Sequence, residues 1–153
     1  MSLETWEEEF YPIAADEVPE CDAIAHSLKK WTGLREAALK KHGLISQGIY
    51  VYDADGVCEL SIDSRTCALC EHHLDDDNDC PNCPLAQTLG QRCDTSHGPY
   101  TRQALYDDPE PMIVALRKTQ QRVTKQAEAK KAAKKKSVKK KSVKKSTKKK
   151  KRA

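Results

Sequence analysis

Bulky side chains are scarce in this sequence. It has a single Phe in 153 residues, and aromatic residues make up 5% of the chain. Aromatic side chains bury the largest areas in protein cores, so their scarcity leaves apolar material for no more than one small domain. No apolar run approaches the ~20 residues that a membrane-spanning helix needs. The acidic first residues also lack the basic and apolar regions of a secretion signal. We therefore predict a cytoplasmic protein without a membrane span, or a nuclear one if the host is eukaryotic.

Catalytic zinc motifs are also missing. The sequence contains neither the His-Glu-x-x-His of metalloproteases nor the His-x-Glu of zinc deaminases. A catalytic zinc usually keeps one position open for water and mixes His or carboxylate ligands with few thiolates. We therefore expect no enzymatic activity and no small-molecule substrate.

Cysteines, in contrast, are concentrated in one stretch. Five of the seven fall within 27 positions, as Cys67-x2-Cys70, nine residues, Cys80-x2-Cys83, nine residues and Cys93. Each C-x2-C pair can place two thiolates on one side of a tight turn, and two pairs complete the tetrahedral shell that structural Zn²⁺ prefers. In a reducing compartment this pattern favours a metal over disulfides. We predict a zinc site held by four of these five cysteines.

The choice of four ligands stays open at this stage. The two C-x2-C pairs form the first set, which leaves Cys93 spare, but Cys93 in place of Cys80 would also complete a shell. His72 or His73 could also replace a thiolate, because both lie within three residues of Cys70. An iron–sulfur cluster is the alternative cofactor. Cys80 and Cys83 are each followed by Pro, as in ferredoxins, although the nine-residue gaps do not match ferredoxin motifs. A cysteine redox function is a further possibility.

The rest of the folded part has the pattern of a small α+β domain. We divide the chain into an acidic, extended N-terminal segment (1–20), a zinc-binding α+β domain (21–123) and a disordered lysine-rich tail (124–153). Short helices are predicted over 21–31 and 34–42, the second ending at Gly43, and a β-hairpin over 49–62.

The chain after the hairpin leads to the cysteine stretch and then to three more helices. Pro84 is expected to open a short helix that ends near Gly90, and residues 100–106 to form one or two helical turns. A last helix is predicted to begin with Asp108 as its N-cap. Its apolar stripe is Met112, Ile113, Leu116, Gln120 and Val123, and we expect this stripe to pack on the domain. A hairpin followed by two C-x2-C units, the second at a helix start, is similar to a treble-clef zinc finger.

The cysteine stretch also resembles a known group of proteins. Cys67-x-Leu-Cys70, Cys80-x2-Cys83-Pro84-Leu85, Gly90, Cys93 and Pro99-Tyr100 match the C-x-L-C…C-x2-C-P-[LV]…G…C…P-Y core of small bacterial and bacteriophage proteins of uncharacterised function. The resemblance covers about a quarter of the chain. It implies metal binding and no particular activity, and it includes Cys93 in the motif.

Charge is divided between the two ends of the chain. Residues 125–153 hold 15 Lys, one Arg and one Glu, a net +15, so with an overall net charge of +4 the first 124 residues carry −11. The basic segment resembles the lysine-rich tails of linker-histone-like proteins in composition. With like charges in repulsion and few apolar side chains to bury, we predict that it is disordered.

The predicted partner of this tail is the phosphate backbone of DNA or RNA, bound without sequence preference, because Lys acts as a mobile point charge. The leading alternative is a protein–protein adaptor in which the zinc domain or the acidic N-terminus recognises a protein partner. The predicted nucleic-acid-binding residues are Lys134, Lys135, Lys136, Lys139, Lys140, Lys141, Lys144, Lys145, Lys148, Lys149, Lys150, Lys151 and Arg152.

Overall fold

The structure is a computed structural model that describes residues 2–57 and 59–150, with side chains described as far as residue 135. Over these residues the fold combines helices with a three-stranded antiparallel sheet, which confirms the α+β class. The helices are α1 (Leu3–Phe10), α2 (Ala23–Thr32), α3 (Glu36–His42), α4 (Ala68–His73), α5 (Pro84–Leu89), α6 (Pro99–Tyr106) and α7 (Glu110–Lys150). The strands are β1 (Leu44–Gln47), β2 (Tyr50–Asp53) and β3 (Glu59–Ser61).

The chain forms two compact units, residues 1–120 and 121–153. The first unit, called the body here, contains the sheet, all the cysteines and the first part of α7. The predicted boundary lies after residue 123, close to this division.

The N-terminal segment differs from the extended conformation that we predicted for residues 1–20. Residues 3–10 form α1, which Ser2 caps: its hydroxyl accepts a hydrogen bond from the Thr5 amide at 3.4 Å. Trp6 is fully buried, and its indole N–H donates to the carbonyl oxygen of Gly33 at 2.8 Å. The helix is amphipathic: Leu3 and Trp6 belong to the core, Glu4 and Glu8 are exposed, and Glu9 pairs with Lys41 of α3 at 2.6 Å.

Helix α2 buries Ala23 and Trp31 together with polar residues. Ile24 and Leu28 are only half-buried and Ala25 is exposed, whereas the fully buried positions include Ser27 and Lys30. Polar groups are buried in proteins when they find partners, and the Lys30 ammonium donates to the carbonyl oxygen of Thr66. Partners far away in sequence therefore decided which face of α2 lies inside.

Helix α3 ends as predicted, at Gly43 in the left-handed region with φ +69°. The sheet that follows has the order β1-β2-β3, with Val51 of the central strand paired to Ser46 and Leu60. The predicted hairpin corresponds to β2 and β3, with a turn closed by a bond from the Gly56 amide to the Asp53 carbonyl oxygen at 3.0 Å. Strand β1 was not predicted from the sequence. Cys58, which we placed in the second hairpin strand, lies outside the described residues.

Helix α7 begins as predicted, because the Asp108 carboxylate accepts a hydrogen bond from the Glu110 amide at 3.3 Å. Of the predicted stripe, Met112, Ile113 and Leu116 are buried and complete the core, whereas Gln120 and Val123 are exposed. None of the helices in the described part of the chain is long and apolar enough to cross a membrane.

The second unit continues α7 as far as Lys150, and the side chains of residues 123–135 are exposed. We had predicted disorder from residue 124. Ala, Gln, Glu and Lys favour helix, and extending a helix that has already formed avoids the cost of nucleation, which accounts for the helical backbone over residues 124–135. The backbone of residues 136–150 continues α7, and residues 151–153 lie outside the described part.

Candidate metal centre

Cys67 and Cys70 follow a tightly capped turn at the end of the sheet. The Asp63 carboxylate accepts a hydrogen bond from the Arg65 amide at 2.9 Å, and the Asp63 amide donates to the Thr66 hydroxyl at 3.2 Å. Cys67 is the N-cap residue of α4, and its carbonyl oxygen accepts from the Cys70 amide at 2.9 Å. This turn therefore places the first C-x2-C pair at the start of a helix.

Cys80 and Cys83 follow the acidic loop 75–79. The Asp75 carboxylate accepts hydrogen bonds from the Asp77 amide at 3.1 Å and from the Asp79 amide at 2.7 Å, so it serves to close the loop. The Cys83 amide donates to the Cys80 carbonyl oxygen at 3.1 Å. Cys83 is the N-cap of α5, which begins at Pro84 and ends at Gly90 with φ +71°, as predicted.

Cys93 is held by backbone contacts from the start of α6. Its carbonyl oxygen accepts a hydrogen bond from the Tyr100 amide at 3.0 Å. A Cβ on Gly98 would lie only 2.7 Å from the Cys93 carbonyl carbon, so glycine is required for this close approach. The neighbouring Arg92 bridges two loops, because it donates to the Asp94 carboxylate at 2.7 Å and to the Asn78 carbonyl oxygen.

The three cysteine segments meet at one cavity of about 320 Å³ within the body. Cys67, Cys70, Cys80 and Cys93 line its wall. Cys83 is buried beside them, close enough for its charge to act on Cys70, Cys80 and Cys93. Four of the five predicted metal ligands therefore line the same cavity, although they come from three separate segments.

None of these five cysteines forms a disulfide, and the pKa values of their thiols reflect burial beside one another. Burial raises the pKa of Cys93 to about 12, and it also raises the pKa values of Cys80 and Cys83. The side chains of Cys67 and Cys70 share a hydrogen bond, which lowers the pKa of Cys67 and raises that of Cys70. Several thiolates cannot share this space without a compensating positive charge.

The described residues contain no group of three or more His, Cys, Asp or Glu side chains already arranged to hold a metal ion. The four cysteines on the cavity wall do not form a closed ligand shell. Binding a single ion would therefore require the cysteine side chains to move toward one another.

The histidines that we considered as substitute ligands have other partners. The His72 Nε2–H donates to the carbonyl oxygen of Val18 at 2.7 Å, and His73 Nε2 lies 3.8 Å from the Glu20 carboxylate. Both side chains therefore connect α4 to the N-terminal segment. Cys21 is exposed, consistent with its position outside the cysteine stretch.

Sequence reasoning missed the polar side chains that α2 contributes to the cavity. Ser27, Lys30 and Trp31 all line it, since residues three and four apart share one helix face. Tyr100 lines it as well, and burial raises the pKa of Tyr100 to about 12. In the sequence, the serine and the lysine share one face of a short helix with a tryptophan. This pattern alone does not indicate that the two polar side chains are buried.

The predicted nucleic-acid-binding residues belong to the second unit. The side chains of Lys134 and Lys135 are exposed on α7, and the remaining predicted residues, 136–152, have side chains outside the described part.

No protein-family model, no curated protein and no solved structure is significantly similar to this chain. Arguments about its function therefore depend on the cavity and on the charge distribution.

Proposed function

We propose that this chain is a non-catalytic metal-binding protein that attaches to nucleic acid through its lysine-rich C-terminal segment. Four of the five clustered cysteines hold the metal, which stabilises the body. The observation that carries the proposal is that Cys67, Cys70, Cys80 and Cys93, which come from three separate segments, line one cavity.

The donor set fits a soft or borderline metal. Buried thiols beside other thiols resist ionisation, and a bound cation reverses this by stabilising the thiolates. Structural zinc contributes an apparent ~10–16 kcal/mol in small domains at neutral pH, comparable to the ~5–15 kcal/mol that separates folded from unfolded states. In a body with few bulky side chains, the metal would supply a large share of the stability.

Zinc is the first candidate ion. The order of the elements supports a treble-clef-like arrangement, since the β2–β3 hairpin leads to the first C-x2-C and the second C-x2-C opens α5. Cys67, Cys70, Cys80 and Cys83 form the first ligand set, and the set with Cys93 in place of Cys80 is the second. Cys80 and Cys93 both lie on the cavity wall.

An iron–sulfur cluster is the second candidate, and the cavity has room for it. Four thiolates around one zinc, with Zn–S bonds of about 2.3 Å, leave no space between them. The cavity of about 320 Å³ equals the volume of roughly ten liquid waters, at about 30 Å³ each. Its wall includes apolar residues such as Leu69 and Leu116, so much of it is unsuited to water.

Metal analysis combined with native mass spectrometry tests the proposal and separates the two candidates. The full chain, purified in reducing buffer without oxygen, is compared with the five single Cys→Ser variants and with Cys21→Ser as a matched control. We expect a fixed stoichiometry of zinc, or of iron with sulfide, that four of the five variants lose and Cys21→Ser keeps. A wild-type protein that binds no metal and stays cooperatively folded after chelation would refute the proposal.

The nucleic-acid part of the proposal depends on charge. The basic segment carries +15 while the rest of the chain carries −11, so attraction to phosphate is confined to one end. Such binding positions a protein on nucleic acid without reading bases. A protein–protein adaptor remains the alternative, and loss of the basic segment would leave its partner binding intact.

A further inference from the structure

Two polar side chains of α2 line the cysteine cavity. Ser27 and Lys30, one turn apart, are each about 1% exposed, and both line the cavity together with Cys67 and Cys70. Proteins rarely bury a hydroxyl and an ammonium side by side unless something accepts their hydrogen bonds.

The Ser27 hydroxyl gives stronger support for a ligand in the cavity than Lys30 does. Its Oγ is buried and has no hydrogen-bond partner among the described residues. A serine inside a helix usually bonds to the carbonyl oxygen one turn back, as Thr32 does with Leu28 at 2.8 Å. Ser27 does not form this bond, so its O–H is available to a group inside the cavity.

Lys30 supplies the charge. Its ammonium donates hydrogen bonds to the carbonyl oxygen of Thr66 and, at 3.2 Å, to the Thr66 hydroxyl. Thr66 is the residue directly before Cys67. An ammonium has three N–H donors, so these bonds leave one for another acceptor. Burial lowers the pKa of Lys30, whereas the nearby charges of Cys67, Cys70 and Asp63 act in the opposite direction. Four thiolates around a divalent ion have a net charge of −2, and a buried cation beside them offsets half of it.

We propose that Ser27 and Lys30 form a donor pair that positions and neutralises the sulfur-rich metal centre from the α2 side. The inference rests on the proposed function and deepens it. In the loaded protein the Ser27 O–H and the third Lys30 N–H donate to thiolate or cluster sulfur, while Lys30 also holds the backbone that leads into Cys67. Outer partners of this kind commonly change metal affinity by about 10–100-fold.

If Ser27 has only a structural role, its hydroxyl should not affect metal binding. Replacing a buried hydroxyl that bonds to nothing should leave the protein as stable as before, or more stable. Ser27→Ala therefore separates the two explanations, and it does so without the risk of unfolding that accompanies a change at Lys30.

The test uses the full chain as wild type, Ser27→Ala, Lys30→Met and Lys30→Arg, with Lys29→Met as the matched control, because Lys29 is exposed on the same helix. Each protein is loaded with Zn²⁺ and, separately, with Co²⁺ as a spectroscopic probe. The measurements are metal stoichiometry, the dissociation constant from chelator competition and the sulfur-to-cobalt charge-transfer band. If the native centre contains iron and sulfide, its absorption and its rate of loss to a chelator replace the cobalt measurements.

We expect Ser27→Ala and Lys30→Met to keep the metal stoichiometry, to bind the metal at least tenfold more weakly and to shift the charge-transfer band. Lys30→Arg should lie closer to wild type because it keeps the charge, and Lys29→Met should match wild type. The inference is wrong if Ser27→Ala binds metal within twofold of wild type with an unchanged spectrum. Should Lys30→Met fail to fold, Ser27→Ala still decides. A wild type without metal would overturn the proposed function and this inference together.

Discussion

The position of Trp6 leads to a strong prediction about the N-terminal segment. Trp6 is fully buried, and its indole N–H donates to the Gly33 carbonyl oxygen at 2.8 Å. If α1 is part of the core, Trp6→Ala should destabilise the whole body. If the segment is a solvated arm, the same change should have little effect.

The magnitude follows from two losses. Replacing a buried Trp by Ala typically costs about 3–5 kcal/mol, through lost apolar burial and the cavity left behind. Leaving the Gly33 carbonyl oxygen without its donor costs about 1–3 kcal/mol more, partly offset if water enters. Trp6→Phe separates the two losses, because it keeps an aromatic ring but lacks the indole N–H. It should lower the free energy of unfolding by about 1–3 kcal/mol.

Urea unfolding followed by circular dichroism, in reducing buffer with metal present, measures these losses. With a slope of about 1–3 kcal/mol per molar urea, a loss of about 4 kcal/mol lowers the midpoint by more than 1 M. Glu8→Ala is the matched control, since Glu8 is exposed in α1 and should change stability by less than about 0.5 kcal/mol. A Trp6→Ala midpoint within the error of the Glu8→Ala midpoint would show that α1 does not belong to the core.

Three further predictions concern the metal centre and the basic segment. Gly98→Ala should displace Cys93 and weaken metal binding, because the added Cβ would lie 2.7 Å from the Cys93 carbonyl carbon and 3.1 Å from the Thr95 amide nitrogen. Gln91→Ala, at an exposed position near Cys93, is the control, and equal chelator-competition constants for the two variants would count against the close approach. Removing the metal with a chelator under reducing conditions should lower the melting temperature of the full chain, measured by calorimetry, by more than 10 °C. An unchanged melting temperature would argue against a structural metal. Binding to duplex DNA, measured by fluorescence anisotropy, should weaken as salt increases, with a slope of log affinity on log salt of about −0.9 per phosphate contacted. Deletion of residues 125–153 should abolish DNA binding. A truncated protein that keeps both the affinity and the slope would show that the body binds DNA.

Several elements could be predicted from local sequence. The ends of α3 and α5 were predicted because Gly43 and Gly90 are the residues that most easily adopt the left-handed conformation there. The start of α7 followed from Asp108 and the proline after it. These features depend on the conformational preferences of a few consecutive residues, which the sequence displays directly.

Other elements depended on partners far away in the chain. Strand β1 is four residues long and acquires its register by pairing Ser46 with Val51. The burial of Trp6 requires a carbonyl acceptor at Gly33, and the burial of Lys30 requires Thr66. No local sequence pattern predicts such pairs, because each residue by itself could equally be exposed to solvent.

The amino-acid sequence by itself determined the clustered cysteines, the separation of charge and the helix ends, since these depend on residue type and spacing. Only the tertiary structure decided that Cys93 joins Cys67, Cys70 and Cys80 at one cavity, that α1 enters the core, and that Ser27 and Lys30 line the same cavity. The physical reason is that burial and electrostatic compensation are properties of groups brought together from distant segments, and spacing along the chain does not specify which groups will meet.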